Sequence, residues 1–307
     1  MSLDGAAERI LRGRFSDRLR TSVPLAPLTT FRIGGPAALY VEPESEEDLE
    51  AVHRAVRASG VPFVVVGRGS NLLVSDRGFA GLVIRLGKAF RWAARDHDRV
   101  RAGAAMPLPA LAGVAARHGL AGLEFGVAIP ATLGGAVKMN AGAHEAEMAD
   151  VIDDVDLFLV DDGRRARVVK ADAGFSYRRS SLPADAVVLG ATMHLREGEG
   201  GQIRARMEEA RAWRRRTQPL AEPNCGSVFT NPPGAHAAAL IEGAGLKGER
   251  VGGASVSTKH ANFIVAGPGA TAADVVTLIH VVQDRVAASS GVRLEPEVRL
   301  VGGFDEP

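Results

Sequence analysis

The sequence of 307 residues has a single cysteine, Cys225, and no long apolar run. One cysteine excludes an internal disulfide framework and is typical of a reducing compartment. No apolar run approaches the ~20 residues that a membrane-spanning helix needs. The first residues also lack the apolar core of a signal peptide. These absences predict a soluble, cytoplasmic protein.

An excess of charge of one sign is missing as well, because 37 Lys and Arg face 36 Asp and Glu. There is therefore no global field to attract nucleic acid or an anionic membrane, and we expect neither as a partner. The eight histidines show no His-Glu-x-x-His motif and no Cys-His spacing of a metal site. We therefore predict no bound metal.

A chain of this length has room for two or three domains, because single cores stop growing near ~250–300 residues. Its 46% hydrophobic and 24% charged residues are those of an ordinary globular protein. Helical and strand patterns alternate without a long parallel run, which predicts an α+β fold. A Gly- and Glu-rich linker at residues 197–201 leads us to expect three parts, 1–86, 87–201 and 202–307.

Local patterns predict several individual elements. Ser45, with Asp48 three residues later, resembles a capping box at the start of a helix that ends at Gly60. Thr271 and Asp274 should cap a second long helix.

Other patterns predict strands. Asp162-Gly163 predicts a hairpin between residues 151–160 and 165–170. The β-branched run 61–66 predicts a buried strand, and 292–301 predicts a final strand that contains Glu297.

The segment Gly67-Arg68-Gly69-Ser70-Asn71 directly follows the predicted buried strand. Glycines allow successive backbone N–H groups to converge on an anion, and Ser70 and Asn71 add donors suited to a pyrophosphate. No Lys-Ser or Lys-Thr follows, so this is not a Walker loop. A plain turn is the other interpretation, and loop length alone favours neither.

Residues 223–232 place Ser227 on a glycine-supported turn between two prolines. Short polar side chains in such a loop can face a ligand, although Gly, Asn, Ser and Pro form plain turns as well. No basic partner for Cys225 is apparent nearby. This cysteine therefore matches a small buried residue better than a nucleophile.

Three further residues have both a functional and a structural interpretation. Arg178 can clamp a carboxylate or remain a solvated surface charge. Glu297, a lone carboxylate in a predicted strand, would usually face water. His260 is more typical of a hydrogen-bonded structural histidine than of a ligand-binding one. A formal Gly-x-Gly-x-x-Gly at residues 243–248 follows a helical stretch instead of a strand, so we reject it as a dinucleotide fingerprint.

Seven motifs, taken together, resemble the UDP-N-acetylenolpyruvoylglucosamine reductase family. They occur in the family's order and cover about residues 29–300. The motifs are Thr29–Gly35, Gly67–Asn71, Gly122–Gly142, Tyr177-Arg178, Gly226–Pro232, Lys259–Phe263 and Glu297–Arg299. The chain is similar to the form of this family that lacks an extra tyrosine-bearing loop over the substrate.

The resemblance implies an FAD-dependent enzyme with NADPH as the hydride donor. It implies a two-part FAD-binding domain of the vanillyl-alcohol-oxidase/PCMH type, which holds FAD without a covalent bond, and a C-terminal α+β substrate domain. The implied reaction converts UDP-N-acetyl-enolpyruvoylglucosamine to UDP-N-acetylmuramate in peptidoglycan precursor synthesis. We expect a monomer whose partners are the UDP-sugar substrate and NADPH.

The same resemblance implies roles for individual residues. Ser227 would donate a proton, while Arg178 and Glu297 would stabilise an enolate-like charge. Glu297 beside a substrate carboxylate should have a raised pKa, because like charges disfavour joint ionisation. The residues implied to contact FAD are Ile33, Gly67, Arg68, Gly69, Ser70, Asn71, Ile129, Gly134, Gly135 and Asn140. Those implied to contact the sugar nucleotide are Tyr177, Asn231, Lys259 and His260.

Two positions depart from the family pattern. Thr230 stands where many members have lysine, and Ala143-His144-Glu145 replaces Ala-Tyr-Gly. Two other functions remain alternatives: another FAD-dependent oxidoreductase of the same flavin architecture, and a catalytically silent nucleotide-sugar binding protein. The Ser227 and Glu297 motifs argue against another oxidoreductase.

Overall fold

The computed structural model describes residues 3–304, with side chains described from residue 5 onward. The chain divides into two compact units, and each is built from three separate stretches of sequence. The first unit comprises residues 1–21, 39–68 and 81–214, and the second comprises 22–38, 69–80 and 215–307.

The described residues form eight α-helices, of which α4 and α5 are the shortest. They are α1 (Leu3–Phe15), α2 (Glu46–Ser59), α3 (Leu108–Arg117), α4 (Leu133–Lys138), α5 (Met148–Val151), α6 (Gly200–Thr217), α7 (Ala237–Gly243) and α8 (Ala272–Ser290). Short 3-10 turns occur at Ser16–Arg18, Ala26–Leu28, Lys88–Phe90, Glu124–Ala128 and Lys170–Asp172. None of these helices, within residues 3–304, is both long and apolar enough to cross a membrane.

The strands are mostly short, and the longest two form the centre of one sheet. They are β1 (Arg20–Pro24), β2 (Pro36–Val41), β3 (Phe63–Val65), β4 (Leu72–Val74), β5 (Phe79–Ile84), β6 (Ala93–Asp96), β7 (Arg99–Gly103), β8 (Leu120–Ala121), β9 (Gly142–Ala143), β10 (Ala146–Glu147), β11 (Ile152–Leu159), β12 (Arg164–Val169), β13 (Ala186–His194), β14 (Arg196–Glu197), β15 (Arg250–Val251), β16 (Ala254–Val256), β17 (Ile264–Ala266) and β18 (Arg299–Val301).

An antiparallel five-stranded sheet, in the order β12-β11-β13-β7-β6, dominates the first unit. Strand β13 is buried over almost its whole length, and α4 packs against it. The pairs β9-β10 and β8-β14 lie in the same unit. A four-stranded sheet has the order β1-β2-β5-β3, with β3 parallel to β5. The division between the units falls within β1, β2 and β5.

The second unit is built around the antiparallel sheet β15-β16-β17 and the long helix α8. Its core contains Phe229 together with Ile264 and Leu278, all fully or almost fully buried. Strand β18 pairs in parallel with β4, so two distant parts of the chain meet side by side. The mixture of helices and strands in both units confirms the predicted α+β class.

The predicted helix ends are confirmed, with one difference at α2. Ser45 accepts a hydrogen bond from the Asp48 N–H, and Gly60 ends the helix with a φ of 67°. The reciprocal half of the predicted capping box is absent, because the Asp48 carboxylate accepts from the N–H of Glu44 instead. Helix α8 has the complete box, formed by Thr271 and Asp274.

Two strand predictions are wrong in part. The run 61–66 contains only the strand β3, and its centre is not buried, since Val65 is 37% exposed. The final strand is restricted to β18, so Glu297 lies in irregular chain before it. Pro296 has no N–H to donate to a ladder, and its neighbours bond to the Val228–Thr230 loop instead.

The predicted hairpin around Asp162-Gly163 is confirmed as β11 and β12. Strand β6, which pairs with β7, was not predicted.

Candidate functional site

Ser227 lies on an irregular loop of the second unit, directly after Gly226, whose φ is 82°. The side chain is half-buried. Within residues 5–304, the Ser227 hydroxyl forms no hydrogen bond, so it remains available to a ligand.

The loop after Ser227 is hydrogen-bonded to the segment that contains Glu297. The Glu297 N–H donates to the Val228 carbonyl at 2.7 Å, and the Thr230 N–H donates to the Glu295 carbonyl at 2.9 Å. Phe229 and Pro296 form an antiparallel bridge between these two bonds. The backbone therefore brings the segments of Ser227 and Glu297 together, although 70 positions separate them in the sequence.

Cys225, two residues before Ser227, is buried. Burial raises the pKa of the Cys225 thiol well above its ordinary value, and the charge of Glu297 adds to this increase. A neutral thiol is a poor nucleophile. The structure confirms the interpretation of Cys225 as a small buried residue.

The glycine-rich loop spans the division between units, with Gly67 and Arg68 in the first and Gly69, Ser70 and Asn71 in the second. At Gly67, an added Cβ would lie 2.4 Å from the Thr132 Oγ1 atom. The surroundings of Gly67 therefore leave little room for a larger residue, and the same is true of Gly69.

Gly69 has a φ of 61°, and an added Cβ would lie 2.3 Å from the Leu28 carbonyl oxygen. The carbonyl of Gly69 accepts a hydrogen bond from the Thr30 N–H at 3.2 Å. The Thr29-Thr30 motif therefore packs against this glycine.

The backbone N–H groups of residues 67–71 donate no hydrogen bond within the described part of the chain. Other groups of the loop do form hydrogen bonds within the protein. The Asn71 carbonyl accepts from the Arg299 N–H at 3.0 Å. The Asn71 side chain donates to the Glu297 carbonyl at 3.1 Å. Unpaired N–H groups on a glycine-supported loop are the donor set that a pyrophosphate requires.

Tyr177 and Arg178 occupy the tip of a tight turn in the first unit. Ser176 and Arg179 close this turn with two backbone hydrogen bonds of 2.9 and 3.0 Å. Arg178 has a φ of 58°, a conformation that costs energy for a residue other than glycine. Its Nη2 donates to the Gly142 carbonyl at 2.9 Å, and its guanidinium carbon lies 4.9 Å from the centre of the Tyr177 ring.

Asn140 is fully buried and supports the same turn. Its Nδ2 donates to the Ser176 carbonyl at 2.9 Å, and its Oδ1 accepts from the Ala149 N–H at 2.9 Å. The Asn140 carboxamide therefore bonds to protein backbone at both ends. This support of the turn could not be read from the sequence.

The other residues assigned to FAD by resemblance differ in burial, and Arg68 and Gly135 are exposed. Ile33 belongs to the core of the second unit, and Ile129 packs against a core of the first. Gly134 donates from its N–H to the Ala104 carbonyl at 2.9 Å. Gly135 donates to the Thr132 Oγ1 at 3.4 Å.

The residues assigned to the sugar nucleotide are spread over both units. In the second unit, Asn231 accepts from the Ala237 N–H at 3.0 Å and so caps α7. The Lys259 ammonium donates to the Arg215 carbonyl at 2.7 Å. Tyr177, in the first unit, is 51% exposed.

His260 is half-buried, and its ring packs edge-to-face on Phe263 with 4.7 Å between ring centroids. Burial lowers the pKa of His260, and the charge of Lys247 lowers it further. Its Nδ1 lies 3.3 Å from the Asn262 N–H, which donates to it. Because Nδ1 accepts this bond, the ring proton of the neutral imidazole is assigned to Nε2.

The structure shows the contacts of the two positions that depart from the family pattern. The Thr230 hydroxyl donates to the Glu295 carbonyl at 3.3 Å. Threonine is uncharged, so this position lacks the positive charge that a lysine would provide. His144 and Glu145 form the β9-β10 turn with φ values of 54° and 62°. The His144 ring packs edge-to-face on Trp213, with 5.0 Å between centroids.

Within the part of the chain that the structure describes, no group of three or more His, Cys, Asp and Glu side chains could hold a metal ion.

Comparison with known proteins gives consistent matches over nearly the whole chain. A model of the UDP-N-acetylenolpyruvoylglucosamine reductase C-terminal domain matches residues 218–301, and an FAD binding domain model matches residues 37–168. These two matches confirm the predicted combination of an FAD-binding part with a C-terminal part.

Relatives named UDP-N-acetylenolpyruvoylglucosamine reductase include one from Heliobacterium modesticaldum, 50% identical over 91% of this chain and 89% of its own length. A second, from Anaeromyxobacter sp., is 46% identical over 99% of this chain and 96% of its own length. The solved structure of the Thermus caldophilus reductase is 40% identical, with a TM-score of 0.80 over 92% of this chain and 99% of that one. Identity at this level, over almost full length, means that the chain belongs to the UDP-N-acetylenolpyruvoylglucosamine reductase family.

Proposed function

We propose that this protein reduces the enolpyruvoyl double bond of UDP-N-acetylenolpyruvoylglucosamine to give UDP-N-acetylmuramate, a step of peptidoglycan precursor synthesis. The observation that carries the proposal is the 50% identity to a relative of that name over 91% of the chain. The unpaired Ser227 hydroxyl supports it, because a free hydroxyl suits a proton donor.

The proposed cofactor is non-covalent FAD, which when bound supplies hydride to the terminal carbon of the enolpyruvoyl group and is itself reduced by NADPH. The unpaired N–H groups of residues 67–71 support a pyrophosphate contact there. The close approaches at Gly67 and Gly69 support it as well, since a Cβ at either position would intrude on neighbouring atoms. The proposal also assigns flavin contacts to the residues Ile33, Arg68, Ser70, Asn71, Ile129, Gly134, Gly135 and Asn140.

Three residues would stabilise or neutralise the negative charge that develops on the substrate. Reduction of the terminal carbon moves the electron pair of the double bond toward the neighbouring carbon and the carboxylate. Arg178 and a protonated Glu297 would stabilise this charge by hydrogen bonds to the carboxylate. Ser227 would then transfer its Oγ proton to the neighbouring carbon, and solvent would restore the hydroxyl.

The remaining assignments concern substrate recognition. We propose that Tyr177, Asn231, Lys259 and His260 contact the sugar nucleotide. The Asn231 Oδ1 is occupied by its bond to Ala237, which leaves its amide Nδ2 to donate. The neutral His260 would likewise donate from Nε2.

We further propose a cytoplasmic monomer that binds neither nucleic acid nor membranes, with functional parts at residues 1–86, 87–201 and 202–307. The single cysteine supports a reducing compartment, and the balanced charge supports the absence of nucleic-acid and membrane partners. Light scattering of the purified protein tests the monomer: a mass near 32.2 kDa is expected, and twice that mass would contradict it.

One absorbance experiment tests the function. The purified protein should be yellow, should be bleached by NADPH without oxygen, and should recover its colour when UDP-N-acetylenolpyruvoylglucosamine is added. A protein that is bleached but recoloured only by oxygen would be another flavoenzyme. A colourless protein that FAD cannot reconstitute would contradict every flavin-dependent proposal.

A further inference from the structure

Asn262 is a buried residue, 4% exposed, whose side chain bonds at both ends to the loop that carries Ser227. Its Oδ1 accepts from the Phe229 N–H at 3.0 Å, and its Nδ2 donates to the Phe229 carbonyl at 2.8 Å. Its own main-chain carbonyl accepts from the Val228 N–H at 2.9 Å. Three hydrogen bonds therefore fix the two residues that follow Ser227.

The opposite side of the same backbone bonds to the segment of Glu297. The Val228 carbonyl accepts from the Glu297 N–H at 2.7 Å. Asn262 thus bonds to the Val228 N–H and to both backbone groups of Phe229, while Glu297 bonds to the Val228 carbonyl. A shift of Val228 would move the adjoining Ser227 backbone and weaken the bond between the Val228 carbonyl and the Glu297 N–H.

We infer that Asn262 is a positioning residue for proton transfer by Ser227, an inference that rests on the proposed reductase function. The Ser227 hydroxyl has no hydrogen bond within residues 5–304, so no such bond fixes it and its position follows the backbone that carries it. Proton transfer requires heavy atoms ~2.6–3.2 Å apart. A carboxamide suits this task because it donates and accepts at once, which neither an ionised carboxylate nor an apolar side chain does.

The test is Asn262→Ala in the FAD-loaded full chain, with the two half-reactions measured separately by stopped-flow absorbance. We expect recolouring by the enolpyruvoyl substrate to slow about 10- to 100-fold, since a misplacement of ~1 Å costs up to about 100-fold. Bleaching by NADPH should stay unchanged, because it needs no proton from Ser227. Thr271→Ala, which removes the capping box of α8 in the same unit, is the control and should change neither rate.

A double-mutant cycle shows whether Asn262 acts through Ser227. Added to Ser227→Ala, the Asn262→Ala change should slow recolouring far less than it does in the wild-type background, because the group that it positions is already gone. Equal losses in both backgrounds, or an equal slowing of bleaching, would overturn the inference.

Asn262→Asp is a second variant that keeps the side-chain shape if the alanine variant does not fold. Its ionised carboxylate retains the bond from the Phe229 N–H but has no proton for the Phe229 carbonyl, so slower recolouring is expected again. Wild-type rates in this variant would also overturn the inference. A wild-type protein that the substrate does not recolour would instead contradict the proposed function itself.

Discussion

Replacing Asp48 with asparagine should destabilise the protein by about 2 kcal/mol at neutral pH and by much less in acid. The Asp48 side chain is 2% exposed. Its carboxylate accepts from Arg14 Nε at 2.7 Å, from Arg18 Nη1 at 2.8 Å and from the Glu44 N–H at 2.9 Å. It therefore joins α2 to the end of α1 and to the 3-10 turn that follows.

The magnitude follows from the pKa of Asp48. Burial alone would raise this pKa, but the bonds from Arg18, from the Glu44 N–H and from Arg14 outweigh burial and lower it from 3.8 to about 2. One pKa unit corresponds to ~1.4 kcal/mol, so the ionised carboxylate contributes about 2 kcal/mol to folding. Because the pKa is lower in the folded state, the contribution is complete above about pH 4 and disappears as the pH falls toward 2.

Urea unfolding followed by circular dichroism, at neutral pH and at several acidic pH values, measures the difference between wild type and Asp48→Asn. The gap in unfolding free energy should narrow as the pH falls. Glu47→Gln is the control on the same helical turn: Glu47 is 66% exposed and lies 3.8 Å from Arg14, so a much smaller change is expected. A gap of the same size at neutral and acidic pH, or none at neutral pH, would refute the reasoning.

Two substitutions and one labelling experiment test other parts of the molecule. Gly69→Ala should give protein that loses most of its FAD on purification. The φ of Gly69 is 61°, and an added Cβ would lie 2.3 Å from the Leu28 carbonyl oxygen, so the loop would have to shift. A full flavin spectrum would contradict this. Cys225 should resist iodoacetamide in the folded protein at neutral pH and react once unfolded, since burial raises its thiol pKa; rapid labelling of folded protein would contradict its burial. Glu297→Gln should slow recolouring by the substrate and alter its pH profile, and an unchanged rate and profile would argue against a role for this carboxyl group.

Features that depend on neighbouring residues could be predicted from the sequence. The caps of α2 and α8 are set by side chains within three residues of the helix start, and both were predicted. Gly60 and Gly291 end these helices with φ values of 67° and 73°, as expected for C-terminal glycines.

Features that depend on distant contacts could not be predicted in this way. Burial of β3 depends on what covers it, and Val65 proved to be exposed. The segment before β18 resembles a strand, yet its hydrogen bonds go to the loop of Val228 and Thr230.

The same limit applies to the candidate site. The motifs predict Ser227, Arg178 and Glu297 as site residues, but no local pattern shows that Asn140 and Asn262 support two of their segments. Those bonds join residues 36 and 33 positions apart, respectively. The direction of an asparagine side chain depends on such tertiary contacts, so its role becomes visible only in the folded chain.

The central claim is that Ser227 donates the proton in reduction of the enolpyruvoyl group, and Ser227→Ala tests it most directly. The variant should bind FAD and be bleached by NADPH at the wild-type rate. Its recolouring by UDP-N-acetylenolpyruvoylglucosamine should be slower by about 100-fold or more, because general acid catalysis contributes about 100- to 10,000-fold. Recolouring at the wild-type rate would contradict the account.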